Sequence, residues 1–256
     1  MKVVILAGGF GTRFREETHS KPKPMILIGD RPILWHIMKF YSFYGFNEFI
    51  ICLGYKGHVI KDYFANYTLQ ESDMEIDLTT NTASYLSHPT EPWKIKLVHT
   101  GDASMTGGRV KRIQKYIGDE PFLLTYGDGL TNVHLPELLT FHQAHGKLAT
   151  LTAVQPTARF GGLTFGSGDE VVKFLEKPKG DGRWINGGFF VLQPEVFDYI
   201  KGDATHFEKE PLEQLAVNGQ LHAYKHTDFW YAMDTLRDQQ YLQQLWESGQ
   251  APWKIW

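Results

Sequence analysis

A glycine-rich stretch near the start of the chain is followed by two basic side chains. Residues 7–12 read Ala-Gly-Gly-Phe-Gly-Thr and come directly after the apolar run of residues 2–6, while Arg13 and Lys23 follow. The main-chain N–H groups of such a turn can bind an anion, and its small residues let a phosphate approach closely. Taken alone, the glycines indicate either a structural turn or a phosphate cradle. With two fixed cations beside them, a polyphosphate is the ligand that we expect.

The glycine turn departs from two better-known nucleotide-binding motifs. From Gly9 to Phe14 it lacks the third glycine of a dinucleotide fingerprint, and no acidic residue ends an evident second strand about 20 residues later. It also lacks the Gly-Lys-Ser/Thr ending of a P-loop. A dinucleotide-binding dehydrogenase is therefore disfavoured.

The elements that must position these residues alternate between strand and helix through the first half of the chain. This rhythm predicts a mostly parallel sheet with helices on both faces, a three-layer Rossmann-like α/β fold. Such sheets bind ligands at the carboxyl ends of their strands. The glycine turn and Gly127-Asp128-Gly129 both follow predicted strands, so they should meet at that edge. The predicted strands are residues 2–6, 48–53, 95–99, 122–126 and 149–154, and the predicted helices are residues 32–41, 59–67, 110–116 and 135–145.

Residues 68–93 interrupt this alternation with a long polar segment. A connection of that length is uncommon without a role, so we interpret it as an insertion used for subunit contact or as a lid. The second half of the chain is richer in strand-like segments. It predicts a hairpin from residues 161–165 and 171–174, a strand at 186–192, short helices at 194–200 and 211–217, and a helix at 236–246.

Composition is that of a soluble globular protein and disfavours several functions. Hydrophobic residues make up 42% and charged residues 21%, and the net charge of −3 gives no reason to expect a nucleic-acid partner. The one cysteine, Cys52, can form no internal disulfide and no cysteine cluster for zinc, so we expect a buried strand thiol. No apolar stretch approaches the ~20 residues of a membrane span, so we expect a cytoplasmic protein without a membrane partner.

Several motifs resemble those of the sugar-1-phosphate nucleotidylyltransferases, and they occur along the chain in the same order as in that family. They are residues 6–13 with 21–25, Tyr126-Gly127-Asp128-Gly129, residues 174–178, Asn186-Gly187-Gly188 and residues 230–235. The resemblance covers nearly the whole chain and implies the fold of that family, with a smaller β-rich part that binds the sugar. It implies one domain over residues 1–256, in which about residues 1–150 bind the nucleotide and about 151–256 bind the sugar phosphate.

Carried over residue by residue, the resemblance implies contacts to a nucleoside triphosphate and to a sugar phosphate. The catalytic residues would be Arg13, Lys23, Asp128 and Asp234, of which the two carboxylates would bind Mg²⁺. The nucleotide would also be bound by Leu6, Ala7, Gly8, Gly9, Phe10, Gly11 and Thr12. The sugar phosphate would be bound by Gly161, Glu176, Lys177, Lys179, Asn186 and Gly187.

One loop indicates which branch of the family the chain follows. Residues 100–109 resemble the base-reading loop of the enzymes that couple CTP and α-D-glucose 1-phosphate to CDP-glucose and pyrophosphate. Ser104, Thr106 and Arg109 are its candidate nucleotide contacts. The resemblance also implies a homo-oligomer, a trimer or hexamer, and a role in dideoxysugar synthesis for O-antigen polysaccharide. The alternatives are a UTP- or dTTP-dependent enzyme, another sugar phosphate, or an inactive nucleotide-sensing regulatory homologue.

The reaction of that family needs charge neutralisation more than proton transfer. The nucleophile is an ionised phosphate oxygen, so no general base is required, and the difficulty is to bring two polyanions together in line. Two carboxylates with few other ligands suit Mg²⁺, which keeps waters and takes further oxygens from phosphate. Asp128 and Asp234 would provide those carboxylates.

Five of these residues also have a structural interpretation. Asp128 between two glycines is typical of a turn, and Asp234 is placed to cap the helix that follows it. Ser104 and Thr106 are typical helix caps. Lys179, in the sequence Lys-Gly-Asp-Gly, is typical of a surface turn.

Overall fold

A computed structural model describes residues 1–11, 20–88, 91–156, 162–167, 169–175 and 183–256 of the chain. Its strands are β1 (Val3–Leu6), β2 (Leu27–Ile28), β3 (Arg31–Pro32), β4 (Glu48–Leu53), β5 (Met74–Asp77), β6 (Thr82–Tyr85), β7 (Lys94–His99), β8 (Phe122–Tyr126), β9 (Gly129–Thr131), β10 (Ala149–Val154), β11 (Gly162–Phe165), β12 (Val171–Leu175), β13 (Ile185–Leu192), β14 (Leu221–His226) and β15 (Trp230–Ala232).

The α-helices are α1 (Ile33–Phe43), α2 (Gly57–Ala65), α3 (Tyr67–Glu71), α4 (Thr106–Arg112), α5 (Gln114–Ile117), α6 (Leu135–His145), α7 (Glu210–Val217) and α8 (Leu236–Glu247). Short 3-10 helices cover Lys23–Met25 and Pro194–Tyr199. Among the described residues, no helix is long and apolar enough to cross a membrane.

A seven-stranded sheet forms the centre of the fold, in the order β14-β10-β13-β8-β1-β4-β7. Only β13 runs antiparallel to its neighbours β8 and β10, and all other pairs in the sheet are parallel. Strands of a parallel sheet are covered on both faces, which explains the continuous apolar runs in β1, β4 and β8. The predicted mostly parallel α/β sheet is confirmed.

The core divides into two clusters, one on each face of this sheet. Along β1, Val3 and Ile5 pack into one cluster while Val4 and Leu6 pack into the other, as the two-residue period of a strand requires. The first cluster holds the buried face of α1 and, from the end of the chain, the fully buried Trp253. The fold is therefore three-layered, with the sheet between two apolar layers.

A small two-stranded sheet brings distant parts of the chain together beside the main sheet. Strand β9 pairs antiparallel with β15, so Gly129 lies opposite Ala232. Just beyond this pairing, the main-chain N–H of Met233 donates to the carbonyl oxygen of Asp128 (2.9 Å). The two acidic motifs of the sequence are thereby placed side by side.

The helix predicted at residues 110–116 begins earlier than expected. Helix α4 starts at Thr106 and includes Gly107 and Gly108, residues that ordinarily disfavour a helix interior. A Cβ atom at Gly108 would meet the main chain of Asp203, so the glycines are needed for close packing rather than for a loop. Strand β14, at the edge of the sheet, was not predicted at all.

The segment predicted as an insertion folds into α3 and the hairpin β5–β6. Apolar side chains of this hairpin and its flanks are largely exposed, including Ile76 (63%), Leu78 (86%) and Leu86 (66%). Its use for subunit contact or as a lid stays a prediction.

Cys52 lies in the middle of the sheet, in β4. Its side chain is fully buried, and burial raises the pKa of the thiol to about 12. The expected buried strand thiol is confirmed.

Candidate active site

A cavity of about 670 Å³ opens at the carboxyl edge of the central sheet, where β1 and β8 end. The glycine turn and Gly127-Asp128 both line it, and Gly127 donates from its main-chain N–H to the carbonyl of Leu6 (3.0 Å). The predicted meeting of the two loops at this edge is confirmed. Its other lining residues include Lys23, Ser104, Thr106, Arg109, Asn186, His206, Glu208 and Asp234.

The described part of the glycine turn is held by the neighbouring strand. Ala7 donates to the carbonyl of Cys52 (3.0 Å), and the carbonyl of Gly8 accepts from Tyr55 (3.3 Å). Gly11 has a φ of 61°, in the left-handed region that favours glycine. At Gly9 a Cβ atom would meet nothing within 4 Å, so the backbone there is open to a ligand.

The side-chain ammonium of Lys23 contacts both of the carboxylates that we predict to bind a metal, those of Asp128 and Asp234. Its Nζ lies 2.6 Å from Asp128 Oδ2 and 2.7 Å from Asp234 Oδ1, and its side chain is only 12% exposed. Burial lowers the pKa of Lys23, but the two carboxylates outweigh burial, so the pKa is raised above its usual value. The ammonium is therefore held charged between two anionic groups.

The backbone of Asp234 is fixed by the start of α8. The N-cap of that helix is Thr235, which forms a capping box with Asp238. The carboxylate of Asp238 also accepts from the main-chain N–H of Asp234 (3.0 Å). The alternative that Asp234 itself caps the helix is wrong. Asp128 does lie in a turn, between β8 and β9, and from that turn its carboxylate reaches Lys23.

The two carboxylates form a donor set that fits a small, hard cation. One positive group already contacts both of them, so a site between them can accommodate a cation. Carboxylate oxygens are the ligands that Mg²⁺ prefers, and Mg²⁺ takes its remaining ligands from water and phosphate. In the described part of the chain, no cluster of three or more His, Cys, Asp or Glu residues could hold a metal.

Arg109 ties three loops of the cavity together. Its buried guanidinium donates to the carbonyls of Gly8 (2.8 Å), Leu53 (3.2 Å) and Gly101 (2.7 Å), among other protein oxygens. Burial lowers its pKa. A Cβ atom at Gly8 would collide with this guanidinium, so the glycine makes room for it. The hydrogen bonds described for Arg109 hold the loops in place, and its direct contact with a nucleotide stays a prediction.

Thr106 points into a hydrogen-bond network rather than capping its own helix. Its hydroxyl donates to Glu208 Oε2 (2.6 Å) and accepts from the main-chain N–H of Phe207 (2.9 Å). The N-cap of α4 is Met105, whose side chain makes no capping bond. The cap interpretation of Ser104 and Thr106 is therefore wrong. Ser104 lines the cavity beside Gly101.

Glu208 and the Tyr126 hydroxyl are site features that the sequence analysis missed. Tyr126 donates to Glu208 Oε1 (2.6 Å), and burial together with that carboxylate raises the pKa of the phenol. No motif surrounds Glu208, which lies just before α7. Its position against residues 106 and 126 depends on the tertiary fold, so no local signal could have revealed it.

A sequence model of the family described as nucleotidyl transferase matches residues 2–246. The chain belongs to this family. The glucose-1-phosphate cytidylyltransferases of Salmonella typhimurium (strain LT2) and Salmonella typhi are each 58% identical to this nucleotidyl transferase over 257 residues, covering 100% of both chains. The crystal structure of HddC from Yersinia pseudotuberculosis superposes with a TM-score of 0.69 at 22% identity, covering 96% of this chain and 99% of that one. At that identity the likeness shows the fold.

In this nucleotidyl transferase, strand β13 brings Asn186 to the cavity, and Gly187 follows it in the same strand. Asn186 lines the cavity and accepts from the N–H of Gly188 (2.8 Å), while the carbonyl of Gly187 accepts from Trp230 Nε1 (2.6 Å). Six predicted site residues lie outside the described residues: Thr12, Arg13, Gly161, Glu176, Lys177 and Lys179.

Proposed function

We propose that the chain transfers a cytidylyl group from CTP to α-D-glucose 1-phosphate, giving CDP-glucose and pyrophosphate. The observation that carries the proposal is the 58% identity, over the full length of both chains, to proteins named glucose-1-phosphate cytidylyltransferase. The cavity at the strand ends, with its glycine turn and its buried cation, suits a nucleoside triphosphate.

In the proposed reaction, a phosphate oxygen of glucose 1-phosphate attacks the α-phosphorus of CTP. The new P–O bond forms as the bond from the α-phosphorus to the bridging oxygen breaks, and pyrophosphate leaves with that electron pair. The attacking oxygen is already ionised, so the chain's residues align and neutralise rather than move a proton. The glycine turn would bind the triphosphate, and Lys23 would neutralise its charge together with Arg13.

Mg²⁺ is the cofactor that we propose, with Asp128 and Asp234 as its protein ligands. Their contact with one shared ammonium supports this choice, because it shows that both carboxylates can address a single cation. When bound, Mg²⁺ stabilises the negative charge that develops on the phosphates. Lys23 would then be released from the carboxylates to bind phosphate.

Four further expectations accompany this proposal and rest on the resemblance of the motifs. The chain would act in the cytoplasm as a homo-oligomer, a trimer or hexamer. It would have a nucleotide-binding part and a sugar-phosphate-binding part. Its product would enter dideoxysugar synthesis for O-antigen polysaccharide. Sedimentation analysis of the purified protein tests the oligomer directly, and a monomer at micromolar concentration would contradict it.

The decisive experiment measures pyrophosphate release by the purified protein with Mg²⁺ and glucose 1-phosphate. CTP, UTP, dTTP, ATP and GTP are supplied separately, and the Asp128→Asn variant serves as the inactive control. We expect strong preference for CTP. Turnover with another nucleotide instead of CTP would support the proposed reaction but contradict the proposed preference for cytosine. Absence of release with every nucleotide and with a panel of sugar phosphates would indicate a regulatory homologue.

A further inference from the structure

Two hydroxyl groups in the cavity donate to the same carboxylate. Thr106 Oγ1 lies 2.6 Å from Glu208 Oε2, and the Tyr126 hydroxyl lies 2.6 Å from Glu208 Oε1. An ionised carboxylate accepts hydrogen bonds and has none to donate. The hydrogen atoms of both hydroxyls therefore point towards Glu208. All three side chains line the same cavity.

A neighbouring main-chain group supports the direction of the hydrogen bond from Thr106 to Glu208. The main-chain N–H of Phe207 donates to Thr106 Oγ1 (2.9 Å), so this hydroxyl accepts one hydrogen while it donates its own to Glu208. The Tyr126 hydroxyl likewise donates its hydrogen to Glu208. Towards the cavity, Thr106, Tyr126 and Glu208 present oxygen lone pairs. We call these three residues the acceptor wall.

The acceptor wall is fixed by the chain on both sides of it. The segment before Glu208 binds the base-reading loop through Met105, which donates to the carbonyl of Asp203 (2.8 Å), and through Gly108, which donates to that of Thr205 (3.2 Å). Arg112 and Asp203 add an ion pair (2.6 Å). The hydroxyls of this wall cannot rotate without losing their hydrogen bonds to Glu208. A wall held in this way discriminates between ligands.

Pyrimidine bases differ in what they present to such a wall. Cytosine carries an amino group at position 4, a donor, and acidic side chains are its usual acceptors, whereas thymine carries a carbonyl there. We propose that the acceptor wall selects the 4-amino group of cytosine over the 4-carbonyl of uracil and thymine. This specificity role rests on the proposed cytidylyl transfer and explains its choice of base.

The test compares kcat/KM for CTP with kcat/KM for UTP in the wild type and in Glu208→Gln. That substitution keeps the shape of the side chain but introduces an amide N–H₂, which can donate to a carbonyl. We expect the CTP-to-UTP ratio to fall at least about tenfold, the scale of one hydrogen bond to a charged group. The KM for glucose 1-phosphate should not change. Glu213→Gln, an exposed carboxylate on α7, is the matched control and should keep the wild-type ratio.

The outcomes separate this proposal from the function on which it rests. A wild type without preference for CTP would overturn the proposed function. A wild type that prefers CTP, with an unchanged ratio in Glu208→Gln, would overturn the acceptor wall alone. A merely structural role of Glu208 would lower both kcat/KM values by the same factor and also count against it. Should Glu208→Gln fail to fold, Thr106→Val removes one hydroxyl of the wall and decides by the same ratio.

Discussion

The main-chain N–H of Met233 donates to the carbonyl oxygen of Asp128, at 2.9 Å. Because this bond extends the β9–β15 pairing, the backbone itself holds the turn of Asp128 against the residue that precedes Asp234. The spacing of the two carboxylates is thus set by the backbone and only secondarily by Lys23. Removal of one carboxylate should leave this scaffold in place.

Asp128→Asn and Asp234→Asn are each expected to lower kcat by roughly a thousandfold. Each substitution replaces a negatively charged carboxylate of the proposed Mg²⁺ site with a neutral amide. Pyrophosphate release measures the effect, and thermal unfolding checks that the fold persists. Asp228→Asn is the control, since Asp228 is an exposed carboxylate bonded to Asn132. Mg²⁺-dependent rates near those of the wild type in both site variants would contradict the metal assignment.

Lys23→Met is expected to bind Mn²⁺, in the absence of nucleotide, at least about tenfold more tightly than the wild type. The wild-type ammonium contacts both carboxylates at 2.6 and 2.7 Å, so a cation must displace it. Electron paramagnetic resonance of free Mn²⁺ gives the dissociation constant without any turnover. Lys209→Met, on the exposed surface, controls for loss of charge. Equal affinity in the wild type and Lys23→Met would show that the ammonium does not compete.

Gly8→Ala is expected to lower the free energy of unfolding by about 1–3 kcal/mol and to raise the KM for CTP. The added methyl group would collide with the guanidinium of Arg109, which several protein oxygens hold in place. Gly9→Ala is the matched control for stability, because nothing lies within 4 Å of its Cβ position. Urea unfolding compares the two. A similar loss in both would mean that the collision with Arg109 is not the cause.

Acid is expected to destabilise the fold through two buried histidines. Burial lowers the pKa of His36 and of His142 to about 4, below the unfolded value of about 6.5. The unfolded chain therefore takes up these protons first as the pH falls. The free energy of unfolding should be highest above pH 6.5 and should fall towards pH 4, by up to about 3 kcal/mol for each residue.

Urea unfolding at several pH values measures this dependence. His142→Gln should remove part of it, because it removes one of the two buried imidazoles with a lowered pKa. A free energy of unfolding that stays constant between pH 4 and 6.5 would refute the role of the two histidines.

The fold was predictable wherever a single element carries its own pattern. Apolar runs bounded by glycines identified β1, β4 and β8, and an apolar face identified α1. Prediction failed at α4, where close packing against residues 203–205 makes two glycines acceptable in a helix. It also failed at β14, whose sequence Leu-His-Ala-Tyr-Lys-His alternates too weakly to stand out. In both places tertiary contacts override local preference.

The position of each motif at the site was predictable from the sequence, whereas the contacts between residues of different motifs were not. The glycine turn and Asp128 follow strands directly, so their place at the sheet edge is a local property. The contact of Lys23 with Asp234 depends on the β9–β15 pairing, and the acceptor wall depends on how residues 203–208 pack. Sequence spacing gave no sign of either. A motif therefore predicts which residues contact a ligand, but it does not predict which other residues of the protein those residues contact.

The single buried thiol gives this protein a practical property. Cys52 is fully buried and its high pKa keeps it protonated at neutral pH, so thiol reagents should not modify the folded chain. One cysteine introduced on the surface, for example on the β5–β6 hairpin, would then be the only reactive position. A fluorophore or spin label attached there would report on that hairpin alone, with no need to remove a native cysteine first.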